Sequence, residues 1–155
     1  MVFMKKIPVI IFAALFTLSA CNTPKNTSAT TTAGADAGNM ELSGAWELDF
    51  VPNPSGTFEE LYSGKKPNIS FNEKEGTYSG HSSCNSFRGK LEKDKDAISF
   101  KGDMMMTKMA CMGDGEKIFL ENLKKINHYS ISKDGNELTF IQGDIVLMHF
   151  HKMAQ

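Results

Sequence analysis

Two sets of residues in this sequence carry side chains that could do chemistry if the fold brought them together. Cys84 and Cys111 are soft donors, His81 lies three residues before Cys84, and Met104-Met105-Met106 with Met109 and Met112 supply thioethers. Thiolate and thioether ligands suit Cu(I), so this set would form a soft-metal site. The plainer account is that the methionines fill irregular core gaps and that the two cysteines are oxidised, which removes both thiolates. That account is the expectation here. The second set is His149 and His151, which share a face of the last strand with the spacing of a zinc pair. No clear carboxylate or third histidine stands near them in sequence, so a solvent-facing pair on an edge strand is expected instead. There is no serine in a nucleophile elbow, no phosphate loop and no HExxH helix. The run Lys93-Asp94-Lys95-Asp96 reads as a solvated turn, and Glu59-Glu60 after Thr57-Phe58 as the start of a short helical turn. No catalytic residue, metal or cofactor is assigned, and the chain is expected not to be an enzyme.

A different chemistry belongs to Cys21. It ends the stretch Leu18-Ser19-Ala20-Cys21, behind the apolar run Ile7 to Leu18 and the charged pair Lys5-Lys6. A charged start followed by a short apolar segment is the form of a secretory signal, too short to span a bilayer comfortably. A small pair followed at once by cysteine resembles a bacterial lipobox. The thiol is then acylated with palmitate-type chains, the leader is cut before it, and the new amine is acylated. Each buried methylene is worth about 0.8 kcal/mol, and two or more chains give stable anchoring. Residues 1–20 are therefore expected to be a lipoprotein signal peptide, with lipidation at Cys21. Asn22 rather than aspartate follows the cysteine, which favours the outer membrane facing the periplasm.

Residues 21–41 are expected to be a flexible tether, because Asn22 to Met40 is rich in Thr, Ala, Asn and Gly and has no aromatic residue. Such a segment buries too little apolar surface to offset its ordering entropy. The folded domain is expected over residues 42–152, long enough for a single core. A net charge of −1 with both signs interleaved offers nucleic acid no basic patch. In an exported chain, Cys84 and Cys111 form an even pair that reads as a disulfide, worth about 3 kcal/mol in the chain-entropy model.

The elements that would position these residues are mostly short strands. Trp46, Leu48 and Phe50 alternate on one predicted face, and Ile69 and Phe71 on another. Further strands are predicted over 77–81, 87–92 and 97–101, and Asp103 to Cys111 reads as either an irregular segment or an extended strand lined by its methionines. From Glu116 to Ile126 the apolar period becomes helical through Phe119, Leu123 and Ile126, with Asp114 as cap and Lys124-Lys125 at the end. Strands over 129–132, 137–142 and 145–150 follow, joined by hairpin-like turns. The expected fold is α+β: a mostly antiparallel β meander curled into an open barrel, with one packed α-helix.

Two segments then resemble a known family. Gly80-His81-Ser82-Ser83-Cys84-Asn85-Ser86-Phe87-Arg88-Gly89 is similar to the Gly-x-x-x-Cys-Asn-x-aromatic-x-Gly segment of META domains, found in HslJ-like bacterial lipoproteins. Thr107-Lys108-Met109-Ala110-Cys111 is similar to that family's Thr-x-Met-Ala-Cys motif, followed as in the family by Glu116, Phe119 and Leu123. Ser82-Ser83 stand where a glycine often precedes the cysteine. The resemblance implies a small β-rich envelope domain with one helix and no catalytic site to transfer. Asn85 is expected to bond local backbone in a turn, Phe87 to fill the core and Gly89 to permit close approach. Thr107 and Met109 should share one face, with Ala110 leaving room for packing. The first functional expectation is a lipid-anchored, non-enzymatic interaction or stress-associated module whose partners are the membrane and an envelope protein. The second is a binder of a small apolar ligand or lipid inside the barrel. The third is a soft-metal binder.

Overall fold

The computed structural model describes residues 41–53 and 56–154. Cys21, the signal peptide and nearly all of the tether lie outside them. Ten strands form one antiparallel sheet: β1 (Gly44–Phe50), β2 (Asn68–Asn72), β3 (Thr77–His81), β4 (Ser86–Lys90), β5 (Glu92–Asp94), β6 (Ala97–Ser99), β7 (Met104–Met106), β8 (His128–Ile131), β9 (Glu137–Gln142) and β10 (Ile145–Lys152). Two helices accompany them, α1 (Phe58–Leu61) and α2 (Gly115–Leu123). The fold is α+β, dominated by a curled half-barrel, and among the described residues it holds two short helices where one packed helix was expected.

The strand order is β5-β6-β8-β9-β10-β1-β2-β3-β4-β7, which is not a plain meander. The first and last strands pair in the middle of the sheet, with Trp46 opposite Lys152 and Leu48 opposite Phe150. The chain reaches one edge at β7 and then returns through α2 to β8, near the other edge. Phe119, on α2, meets the ring of Phe87 at 5.7 Å and ties the helix to the inner face of β4.

Alternation along the strands sorts side chains to two faces. Trp46, Leu48, Ile69, Phe71, Phe140 and Phe150 are buried on the inner face. Ring centroids stand 5.1 Å apart in Tyr78–Phe100 and Phe140–Phe150, and 5.4 Å apart in Phe100–Phe140. Each such buried side chain is worth about 2–3 kcal/mol relative to exposure.

Several boundaries differ from the sequence expectation, each for a physical reason. Phe50 is 47% exposed and Val51 is buried instead, because a register shift against β10 between Leu48 and Phe50 ends the alternation. The strand expected to run from Phe87 to Glu92 breaks after Lys90, and Glu92–Asp94 pairs separately with β6. The turn expected over 93–96 shrinks to Lys95-Asp96, with Lys95 at φ 54. Thr57 and Glu60 form a reciprocal capping box that starts α1. Asp114 stands at the N-cap of α2, but its side chain makes no capping bond, and the helix stops at Leu123. Ile126 is buried just beyond that end.

Gly89 sits opposite Tyr78, whose ring lies across it. A methyl group there would stand 2.5 Å from Tyr78 Oη and 2.6 Å from Cζ. Gly89→Ala should therefore destabilise the domain by about 1–3 kcal/mol through overpacking. Urea unfolding followed by tryptophan fluorescence measures this, and an unchanged midpoint would contradict the close approach.

Candidate functional site

The two family-like segments meet where β4 begins. Asn85 is buried, and its side chain bonds chain segments far away in sequence, while its backbone, not its side chain, makes the local turn bonds to Ser82. Its Nδ2 donates to Met109 O at 3.2 Å and to Glu116 Oε1 at 3.1 Å. Its Oδ1 accepts from the Met109 N–H and the Thr107 hydroxyl, both at 2.8 Å. Thr107 Oγ1 in turn accepts from the Ser86 N–H at 3.0 Å. The carboxylate of Glu116, in the first turn of α2, accepts the Asn85 N–H at 3.0 Å and the Ser82 hydroxyl on Oε2. A carboxylate in this position also complements the positive end of the helix dipole.

The sulfurs of Cys84 and Cys111 lie 2.01 Å apart, with Cα atoms 5.9 Å apart, so they cannot serve as two thiolate ligands. Glu116 stands beside them, but with both sulfurs bonded to each other the trio offers a soft metal nothing. Asn85 Nδ2 approaches Cys111 Sγ at 3.1 Å, which places the disulfide on the same knot. His81 does not join the cysteines; it stands opposite Asn68 and Ser86 on the outer face. Burial, aided by Lys65 and opposed by Glu116, holds its imidazole below the ordinary value. Its Nδ1 is buried without a hydrogen-bond partner among the described residues.

Outside this knot, the outer face of β2, β3, β4 and β7 forms a groove of about 670 Å³. Ser70, Ser79 and Ser86 form part of its wall, with Asn68 and Thr107. Lys65, His81 and Arg88 line it too, and none of the lining residues is acidic. The Arg88 guanidinium lies 3.9 Å from Met105 Sδ, and Met105 is 60% exposed on the edge strand β7.

A family model described as META domain matches residues 39–154. The chain belongs to the META domain family. No curated protein matches it. Among solved structures it is similar to a protein from Burkholderia xenovorans solved by NMR, at 20% identity and a TM-score of 0.55, covering 94% of this chain and all of that one. It is also similar to a DUF4847 family protein from Bacteroides vulgatus solved by crystallography, at 18% identity and a TM-score of 0.51, covering 74% of this chain and 95% of that one. At these identities the likeness concerns the fold.

Within this META domain the motif residues divide by what they contribute. Phe87 is buried in the core. At Gly80 a side chain would collide with the Asn68 carbonyl and stand 2.6 Å from Phe87 Cζ. Met109 contributes its backbone N–H and C=O, while its side chain is 60% exposed, so it does not pack as expected. Ala110 is exposed as well, and the packing role expected of it is not seen. Asn85 reaches two distant segments besides its local turn. Sequence reasoning missed Ser82 and the part Glu116 plays in the knot; the available signal was an acid in the first turn of the helix, five residues after Cys111. Ser83, in the place where glycine is frequent, adopts φ 83, a left-handed conformation that favours glycine.

Asn85→Asp keeps the shape but removes both N–H donors and sets a second carboxylate against Glu116. We expect a loss of about 3 kcal/mol in chemical denaturation. Stability equal to the parent chain would show that the carboxamide network is dispensable.

Proposed function

We propose that this META domain is a lipid-anchored, non-enzymatic binding module of the bacterial envelope, working through the groove on β2, β3, β4 and β7. The observation that carries the reading is the character of that groove: two permanent cations, Lys65 and Arg88, among small hydroxyls, with no acid in its wall. Such a surface favours an anionic partner by charge complementarity, and Arg88 suits carboxylates through paired N–H donors. Its length along short strands, beside the three-residue edge strand β7, fits an extended chain. The partner we assign is an extended acidic segment of another envelope protein. The lipobox resemblance at Cys21 supports anchoring, and the absence of an aspartate after it supports the outer membrane facing the periplasm. The apolar-ligand reading finds no such support, because the space a lipid would need inside the barrel is filled by Phe71, Phe100, Phe140 and Phe150.

The test uses the full chain in its native cells with a photo-crosslinking amino acid at Ser79, in the groove, or at Asp144, in a distant hairpin turn. Position 79 should yield a discrete adduct whose crosslinked peptide is acidic, and Arg88→Glu should abolish it. Equal adducts from both positions, or an adduct indifferent to Arg88→Glu, would refute the groove as the binding surface. In the same cells, Cys21→Ala should move the protein from the salt-washed membrane pellet to the soluble fraction.

A further inference from the structure

The outer face of β1, β9 and β10 carries a histidine and carboxylate cluster. His149 and His151 alternate with the fully buried Met148 and Phe150 on β10, which is flanked by β9 and β1 and is not the edge strand expected from the sequence. Asp49 Oδ1 lies 2.6 Å from His149 Nδ1 and Asp49 Oδ2 lies 3.6 Å from His151 Nδ1, but the donor atoms of this cluster do not converge on one point. Among the described residues a single group of such donors does converge. It is Cys84, Cys111 and Glu116, whose ligand atoms all lie within 4.8 Å of one another. While the two sulfurs are bonded to each other, this group holds no metal. Every chain is made with its cysteines as thiols, however, and the surroundings of these two are already arranged as those of a ligand set.

Cys111 Sγ stands 3.5 Å from Glu116 Oε1. Zinc bonds of about 2.3 Å to sulfur and about 2.0–2.2 Å to a carboxylate oxygen, at a tetrahedral angle, set the two donors roughly 3.6 Å apart. The same geometry parts two thiolates to roughly 3.8 Å, which side-chain rotation supplies. The Cα atoms of the pair, 5.9 Å apart, need no large movement. The carboxylate is oriented beforehand: its Oε2 accepts the Asn85 N–H at 3.0 Å and the Ser82 hydroxyl, which leaves Oε1 turned to the sulfurs. Asn85 Nδ2 lies 3.1 Å from Cys111 Sγ and 3.8 Å from Cys84 Sγ, the place of an outer partner that donates to metal-bound thiolates. The two cysteine segments do not depend on the disulfide to stay side by side. Asn85 Oδ1 holds the Met109 N–H and the Thr107 hydroxyl at 2.8 Å, and Phe87 of β4 pairs with Met106 of β7. All three donor side chains are half-buried, so an ion can enter and water can take its fourth position.

We propose that Cys84, Cys111 and Glu116 of the reduced chain bind one divalent ion of the zinc class, and that disulfide formation expels it. Two thiolates with one carboxylate form a mixed set that zinc accepts, whereas a carboxylate suits Cu(I) poorly. On binding, each thiol gives up one proton to solvent. In the release step the two zinc-bound thiolates lose one electron each and join as the Cys84–Cys111 disulfide. The electron pair passes to the disulfide of an exchange partner, which leaves as a dithiolate, and the zinc ion leaves with water. A dithiol reductant runs the same exchange backwards. This site does not rest on the function proposed for the groove.

The experiment is calorimetric titration of zinc chloride into the full chain, purified in detergent and stripped with chelator, near neutral pH under argon. The oxidised chain and the phosphine-reduced chain are compared. One zinc per reduced chain is expected, and none per oxidised chain. Glu116→Gln should weaken uptake at least about tenfold, and Cys84→Ser with Cys111→Ser should abolish it. Cobalt(II) in place of zinc should give a thiolate-to-metal charge-transfer band in the reduced parent and none in the double variant. Oxidised glutathione added to the zinc-loaded chain should release one zinc for each disulfide formed, read with a chromogenic chelator. Circular dichroism of the reduced parent and of each variant verifies the fold. Equal uptake by the oxidised and reduced chains, no uptake by the reduced chain, or full affinity in Glu116→Gln would overturn the site.

Discussion

The carboxamide of Asn85 is the contact on which most of the local architecture depends. One side chain takes both backbone groups of Met109, bonds Thr107 and holds the carboxylate that begins α2, while the backbone of the same residue closes the turn with Ser82. A hydrogen bond in a protein is worth about 1 kcal/mol net, but a buried group left without its partner costs about 1–3 kcal/mol. Removing the carboxamide would take the partner from several groups at once in a part-buried site. The consequences extend to the outer surface, because Ser86 and Thr107, which the network joins, also line the groove.

Local features were legible in the sequence, and features set by distant partners were not. The capping box of Thr57 and Glu60 lies within four residues and reads directly. So do the inward faces of Trp46, Leu48, Ile69 and Phe71, and the helical period through Phe119 and Leu123. The reversal at Phe50 could not be read, because it comes from pairing with a strand about a hundred residues later. β5 escaped for the opposite reason. All three of its residues are exposed, and Lys93 and Asp94 belong to the charged run that reads as a turn, so only its pairing with β6 makes it a strand. Asn85 was recognisable by type and motif, yet its partners at 107, 109 and 116 became neighbours only on folding. The histidine pair shows the same limit: its spacing was plain, while its nearest carboxylate, Asp49, stands 100 residues earlier.

The two faces of the sheet divide the labour. The inner face is spent on aromatic packing from Tyr78 through Phe100 and Phe140 to Phe150. The outer face is left polar, with the cationic groove on one side of the β1–β2 pair and the histidine and carboxylate cluster on the other. These patches have opposite electrostatic character on one continuous surface.

The pairing of β1 with β10 has a further consequence for the life of the chain before it is folded. A polypeptide that emerges from its start has β1 available almost at once, but one whole side of that strand stays unsatisfied until residues near Lys152 appear. The seam at the centre of the sheet is therefore its last possible stitch. Contacts of such long sequence separation carry a large loop-closure entropy and form slowly. Whatever pairs earlier, the domain closes only once its final strand is available.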